Sequence, residues 1–360
     1  MAERARRFGP LRVDELLELA LYHPDHGFYG GGRGAGRAGD FLTSPEVGPL
    51  FGAVIARALD AWWHELGRPD PFTVVEAGAG RGTLAAAVLA AAPACSPALR
   101  YVLVERSVPL RDEQGLRVHL EPPRLALGPV VGDDPDLGTR SVGGMGPVAT
   151  ALAELPAAPL TGVILANELL DNLPFRLLER TSDGWAEVLV DQHAREVLVP
   201  APPDAAARAA ELAPDAPVGS RIPLQRAAGE WLRTALAALQ RGRLVVFDYA
   251  DASPSLARRP WTEWVRTYRA HGRGGRPFDD LGTQDVTCEV AVDQLALVRT
   301  PSREHRQADF LRAHGIDQLA DAARAAWQER AHAPDLDALA QRSRVAEAAA
   351  LTDPAGLGAF

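Results

Sequence analysis

Cysteine is almost absent: among 360 residues only Cys95 and Cys288 occur, far apart in the chain. That leaves neither a disulfide framework nor a zinc-ligand spacing, and it suits a reduced compartment. An excess of basic residues is also missing. Lys and Arg together number 38 against 47 acids, a formal net charge of -9, which argues against a general nucleic-acid binder. No apolar run reaches membrane-spanning length, and no apolar signal core follows Arg4, Arg6 and Arg7. Folded-looking sequence begins almost at once, so the expected location is the cytoplasm. There is no Gly-Lys-Ser/Thr phosphate loop and no internal repeat at solenoid periods. What remains is a chain with 47% hydrophobic residues, enough for one large domain with an insertion or for two domains.

The most informative stretch runs from Val74 to Leu84. Thr73, Val74 and Val75 suit a buried parallel strand, and Leu84 to Ala94 propagates a helix. Between them lies Glu76-x-Gly78-x-Gly80-x-Gly82, a turn whose glycines permit a sharp bend and the close approach of a ligand to a helix N-terminus. Two cofactor classes use such a turn. A dinucleotide site wants a small residue where Thr83 stands, whereas an S-adenosylmethionine site has an acid ending the strand followed by alternating glycines. Glu76, Gly78, Gly80, Gly82 and Thr83 are therefore candidate cofactor residues. Tyr101 to Glu105 reads as the second strand. Glu105 lies 23 positions after Gly82, where a carboxylate can take both ribose hydroxyls.

Around this unit the chain alternates strands and helices. A helix over Leu11–Leu21 stops at Tyr22-His23-Pro24, and a glycine-rich loop follows from Gly27 to Gly39. Thr43 or Ser44 caps a helix from about Glu46 to Leu66, with Pro45 in its first turn. The third strand is either Pro129–Val131 or Pro147–Ala151. Gly162–Ala166 is the fourth, and the polar run Asn167-Glu168-Leu169-Leu170-Asp171-Asn172 follows it. Polar groups at the carboxyl end of a parallel strand face the ligand crevice, so Asn167, Glu168 and Asp171 are site candidates. Arg176 to Val199 reads as antiparallel strands, Pro200 to Pro217 as a connector, and Leu244 to Tyr249 as the fifth core strand. The expected division is an N-terminal helical region over 1–70, a cofactor-binding core over 71–175, a cap over 176–242, and the rest of the core with C-terminal helices over 243–360.

Several blocks, in order, resemble the MidA-like S-adenosylmethionine-dependent methyltransferases. They include Leu21-Tyr22-His23-Pro24 with Gly27-Phe28-Tyr29, Gly39-Asp40-Phe41-x-Thr43-Ser44-Pro45-Glu46, and Glu76 to Leu84. Val104-Glu105-Arg106-Ser107, Ala166 to Pro174, Asp248-Tyr249, Tyr268 to His271 and Gly282 to Thr287 complete the set. The departures are Leu169-Leu170 and Asn172 after Asn167-Glu168, and Ala79 in the turn. The resemblance implies an α/β fold: a Rossmann-like class I methyltransferase sheet with a helical N-terminal lid and a β-rich insertion. It implies S-adenosyl-L-methionine as cofactor and a protein arginine as acceptor, since the family's mitochondrial member methylates an arginine of a respiratory complex I subunit.

On that resemblance the glycine turn holds the methionyl end, and the Asp40–Glu46 block, with Thr43 and Ser44, folds over the cofactor. A guanidinium acceptor must be held by carboxylates and must lose a proton. Glu168 is the first candidate for that role, Asn167 orients the substrate, and Asp40, Glu46 and Asp171 are further acids. His23 and His271 are either general bases or polar structural residues. Arg106 either helps the cofactor's carboxylate or is a surface residue. Trp62, Trp63, Trp185 and Trp231 are read as packing. No metal, nucleic acid or membrane insertion is expected. The competing readings are a non-catalytic cofactor-binding assembly factor and, disfavoured by Gly82 and Thr83, a nicotinamide oxidoreductase.

Overall fold

The fold was taken from a computed structural model, which describes residues 1–33, 43–128, 143–157, 159–269 and 272–359. Asp40, His271 and the Pro129–Val131 alternative lie outside the described residues.

Five strands form an all-parallel sheet: β1 (Phe72–Ala77), β2 (Leu99–Val104), β3 (Val148–Leu152), β4 (Leu160–Asn167) and β5 (Leu239–Phe247), in the spatial order β5-β4-β1-β2-β3. The third strand is thus the second of the two alternatives. Every residue of β1 and β2 is buried, as a parallel sheet covered on both faces requires. Period-two alternation splits the side chains between the faces. Val74, Leu103, Val163 and Leu165 pack with the helix Pro49–Glu65 (through Phe51, Ile55 and Leu59) and with Leu84 and Val88 of the helix Thr83–Ala90. Val75, Val102 and Ile164 pack on the opposite face with Ala235 and Ala238.

The packing differs from the expected division in two places. The helix Pro49–Glu65 is a core layer rather than a lid, because its apolar face is wide enough to cover the sheet. The helix Arg226–Ala238 also belongs to the core, so the excursion from the sheet closes near Leu224 instead of Gly242. Between those limits Arg176–Thr181 and Gly184–Val190 form an antiparallel hairpin, flanked by Arg221–Leu224 and Glu196–Pro200. Leu11–Arg12 pairs with Val190 and Leu189, so the N-terminus and the excursion make one cap sheet. Pro203–Leu212, expected as a connector, is a helix that buries Ala205, Ala209 and Leu212 against the cap.

The expected helix from Glu46 is broken in two, Ser44–Val47 and Pro49–Glu65. Pro49 has no N–H to continue the first segment and is favoured at the first turn of the second. Glu347, on the C-terminal helix Leu336–Leu351, accepts the Leu50 N–H at 3.1 Å, and a Cβ at Gly48 would collide with its carboxyl.

The sheet register is what places the site. Ala77 pairs with Val104 and with Ala166, Val104 with Leu152, and Ala166 with Val246. The strands end level with one another. The residues just beyond them, Gly78, Glu105, Glu154, Glu168 and Asp248, therefore form one row along the carboxyl edge. The strand order reverses between β1 and β4, and this switch point is where open parallel sheets bind ligands.

Candidate active site

A cavity of about 470 Å³ opens along that row, a size suited to a nucleotide-type cofactor. The glycine turn forms its floor. Gly78, Gly80 and Gly82 have φ of 70°, 51° and 79°, a region that disfavours other residues. A Cβ on Gly82 would press to 3.0 Å from Leu103, whereas one on Gly80 would meet none of the described residues within 4 Å. Glu105, beyond β2, accepts the Gly80 N–H at 2.9 Å and the Ser107 N–H at 2.7 Å. Burial pushes its carboxyl up and these N–H groups partly offset that. The ribose candidate thus also ties down the glycine turn.

Glu76 lies at the cavity wall but is only 5% exposed, and its Oε2 accepts the Tyr101 hydroxyl at 2.6 Å. Burial pushes its carboxyl up to about 7. Thr83 faces the cavity and donates its hydroxyl to Glu46 Oε1 at 2.7 Å. Thr43 also lines the cavity. Ser44 does not: its hydroxyl donates to Gln307 at 3.1 Å, and only its N–H points toward the site, donating to Glu168 Oε1 at 3.3 Å.

Glu168 sits at φ 48°, a strained conformation for a residue with a side chain, costing about 1–3 kcal/mol, and it turns the chain sharply out of β4. Asn167 Nδ2 donates to its Oε1 at 3.4 Å, while Asn167 Oδ1 is buried with no hydrogen-bond partner among the described residues. Behind Glu168 stand three more acids. Asp248 Oδ2 accepts the N–H groups of Leu170 and Asp171 at 2.9 and 3.3 Å. Asp285 Oδ1 takes the Asn172 amide at 2.9 Å and the Tyr29 hydroxyl at 3.0 Å. Asp171 is buried off the cavity and Leu170 is fully buried, so of the leucine pair only Leu169 lines the cavity. The chain contains no lysine, and among the described residues Glu168, Asp171 and Asp248 have no ion-pair partner.

Burial, reinforced by Asp248 and Asp285, pushes the Glu168 carboxyl up to about 8. Burial, reinforced by Asp248, Glu168 and Asp285, raises Asp171, and burial brings Asp248 to about 7 against the backbone N–H groups it accepts. This has a stability consequence. The folded state holds a proton on Glu168 that the unfolded chain releases near pH 4.5, so stability falls as pH rises from there through about 8. Glu168→Gln is therefore expected to be more stable than wild type by about 1–3 kcal/mol at pH 9, with the difference shrinking toward pH 4.5. Urea unfolding at the two pH values checks this; a difference independent of pH would refute it.

Other expected residues fall elsewhere. His23 is outside the cavity, where its Nδ1 accepts the Asp25 N–H at 3.2 Å and its ring stacks on His26. Arg106 borders the cavity but is engaged by an ion pair with Glu18 and lies over the Tyr22 ring. Conversely, Glu154 and Leu155, just after β3, and Trp231 and Thr234, on the helix Arg226–Ala238, also line the cavity, although Trp231 was expected to do no more than pack. Trp231 does pack against the sheet, and it also lines the cavity. Tyr29 closes the site from the N-terminal side, accepting the Ser107 hydroxyl on its carbonyl at 2.7 Å. The first part of the glycine-rich loop is likewise held: Arg81 donates to the Gly32 carbonyl and Arg33 to that of Gly282.

Comparison with known proteins bears on this geometry. A family profile described as "Putative S-adenosyl-L-methionine-dependent methyltransferase" matches residues 54–308. The chain belongs to that methyltransferase family. Its fold is similar to the crystal structure of a superfamily member from Burkholderia thailandensis bound to S-adenosyl-homocysteine, with TM-score 0.76 and 28% identity over 99% of this chain and 87% of that one. It is 34% identical over 188 residues to the protein arginine methyltransferase NDUFAF7 homolog of Drosophila melanogaster, and 32% identical over 194 residues to NDUFAF7 of Homo sapiens. Each match covers 51% of this chain and 42% of the relative, so the chain spans less than half the length of these curated relatives. Both relatives are named as mitochondrial, which overturns the cytoplasmic expectation: sparse cysteine marks a reducing milieu, and that property is not confined to the cytoplasm.

The residues present fit the family's cofactor. Glu105 can accept ribose hydroxyls, the open space at Gly80 lets a ligand reach the backbone, and Glu154 can accept an exocyclic amine. Among the described residues no helix is long and apolar enough to cross a membrane, and no cluster of His, Cys, Asp and Glu is arranged to hold a metal.

Proposed function

We propose that the chain transfers a methyl group from S-adenosyl-L-methionine to an arginine side chain of a protein. The observation that carries this reading is the carboxyl of Glu168, held at the cavity wall beside Asn167 Oδ1, which is buried with no hydrogen-bond partner among the described residues, and backed by Asp171 and Asp248, which have no ion-pair partner among those residues. Such a site attracts a positive charge, and a planar guanidinium supplies the charge, a further N–H for Glu168 and a first one for Asn167 Oδ1.

When bound, the cofactor supplies a methyl group activated by a sulfonium. Glu168, in its ionised form, pairs with the guanidinium and fixes which nitrogen faces the transfer point; Asn167 Oδ1 takes a second N–H. As the N–C bond forms and the S–C bond breaks, the nitrogen gives up a proton, and Glu168 receives it. A carboxyl at about 8 is a better proton acceptor than an ordinary one. Tyr29, Leu169 and Leu173 narrow the opening and keep water away from the reacting atoms. Alignment of this kind is worth roughly 7–11 kcal/mol in favourable cases.

The names of the curated relatives support an arginine acceptor. The test is proteome-wide mass spectrometry of methylated arginines in cells with and without the gene. The expected result is the loss of one or a few methylarginine sites; loss of a methyl mark on another residue type, with methylarginines unchanged, would overturn the reading.

A further inference from the structure

The sheet orders the cavity from end to end. Glu154 stands beyond β3, Glu105 beyond β2, the glycine turn beyond β1, and Glu168 beyond β4. With the ribose at Glu105 and the acceptor at Glu168, the amino-acid end of the cofactor falls at the glycine turn and the start of the helix Thr83–Ala90. That end carries a carboxylate and an ammonium. Free N–H groups of a helix N-terminus suit the carboxylate, but they repel the ammonium, which needs an anion of its own.

Of the carboxylates near it, Glu105 holds the Gly80 N–H and Glu76 the Tyr101 hydroxyl, which leaves Glu46. Glu46 lines the cavity beside Thr83, and Thr83 donates its hydroxyl to Glu46 Oε1 at 2.7 Å. Among the described residues Glu46 has no ion-pair partner, and no hydrogen bond to its Oε2 is seen. The segment that carries it is anchored at its other end, where the Ser44 N–H meets Glu168 and the Ser44 hydroxyl meets Gln307. Glu46 is thus held on the methyl-donor side of Glu168, facing the turn and not the acid cluster. We infer that Glu46 is the counter-ion of the cofactor's ammonium group and that Thr83 orients it through the hydroxyl contact. The inference rests on the cofactor assignment and is independent of which acceptor is methylated. It moves Glu46 out of the group of acids available to a guanidinium.

A purely structural role is the rival, since a carboxylate near the N-terminus of the helix Thr83–Ala90 also favours the helix. Calorimetry with two ligands separates them: S-adenosyl-homocysteine, and 5′-methylthioadenosine, which keeps the adenine, ribose and sulfur but has no amino-acid group. In the full-length chain, Glu46→Gln is expected to weaken S-adenosyl-homocysteine by about 10- to 100-fold and to leave 5′-methylthioadenosine unchanged. Thr83→Val is expected to show the same selectivity with a smaller loss, about 3- to 10-fold. Equal losses for the two ligands, or no loss for S-adenosyl-homocysteine, would overturn the inference. A wild-type chain that binds neither ligand would overturn the cofactor assignment instead.

Discussion

Glu168→Gln is expected to lower methyl transfer by about 10²- to 10⁴-fold while leaving S-adenosyl-homocysteine binding unchanged. Gln keeps the shape of the side chain and its acceptor oxygen, so the Ser44 N–H and Asn167 amide contacts survive. It removes the negative charge that holds a guanidinium and the site that receives its proton. The pH profile gives a second, independent readout. In the free enzyme the carboxyl is neutral below about 8, so the wild-type kcat/KM should rise about tenfold per pH unit up to that point and then level off. A bound guanidinium stabilises the ionised form and pulls the carboxyl down, so the inflection in kcat should lie at lower pH than the one in kcat/KM. Glu168→Gln should lose both inflections. A variant that retains the wild-type rate, or a wild-type profile flat between pH 6 and 9, would remove Glu168 from the proton-transfer role. This prediction and the expected gain in stability at high pH have one cause. The desolvated carboxyl that makes a good base is costly to ionise in the folded protein.

What the sequence made legible follows from how local each signal is. Glu105, Glu168 and the glycine turn each sit at the end of a strong apolar run, and in a parallel sheet that position alone puts a residue on the ligand edge. Glu76 has the same signature, yet the structure gives one of its oxygens to Tyr101, because two adjacent parallel strands bring these side chains together. Nothing local reveals that pairing. Ser44 shows the same limit, since its hydroxyl partner Gln307 is 263 residues away. Asp248 and Asp285 belong to the acid cluster only because the Asn167–Asn172 turn folds onto them, and Tyr29 joins it across 256 residues. Two-residue strands such as Leu11–Arg12 are too short to show any periodicity, so the union of the N-terminus with the cap sheet was invisible. Pro203–Leu212 was masked by its composition. A run of alanine and proline suits a connector, but Pro at the first position with alanines following in the next turn also starts a helix well.

Glu105→Ala should weaken S-adenosyl-homocysteine by at least about 100-fold, and 5′-methylthioadenosine by a similar factor, since both ligands carry the ribose. The loss has two sources. A carboxylate that takes ribose hydroxyls contributes about 1.5–3 kcal/mol through charge-assisted hydrogen bonds. The same carboxylate holds the N–H groups of Gly80 and Ser107, and removing it leaves both donors without a partner at about 1–3 kcal/mol each. The first source acts only on the bound state; the second loosens the turn before any ligand arrives. Glu105→Gln separates them. Its amide oxygen can still accept one backbone N–H, but it offers no charge to the ribose, so its affinity should fall between those of wild type and the Ala variant while its melting temperature stays nearer the wild type's. The pattern across ligands then distinguishes the acids of the cavity: a change at Glu105 costs both ligands, one at Glu46 costs only the ligand with an amino-acid group, and one at Glu168 costs neither. Unchanged calorimetric affinity in Glu105→Ala would show that the ribose is held elsewhere, and with it the assignment of each end of the cavity would fall.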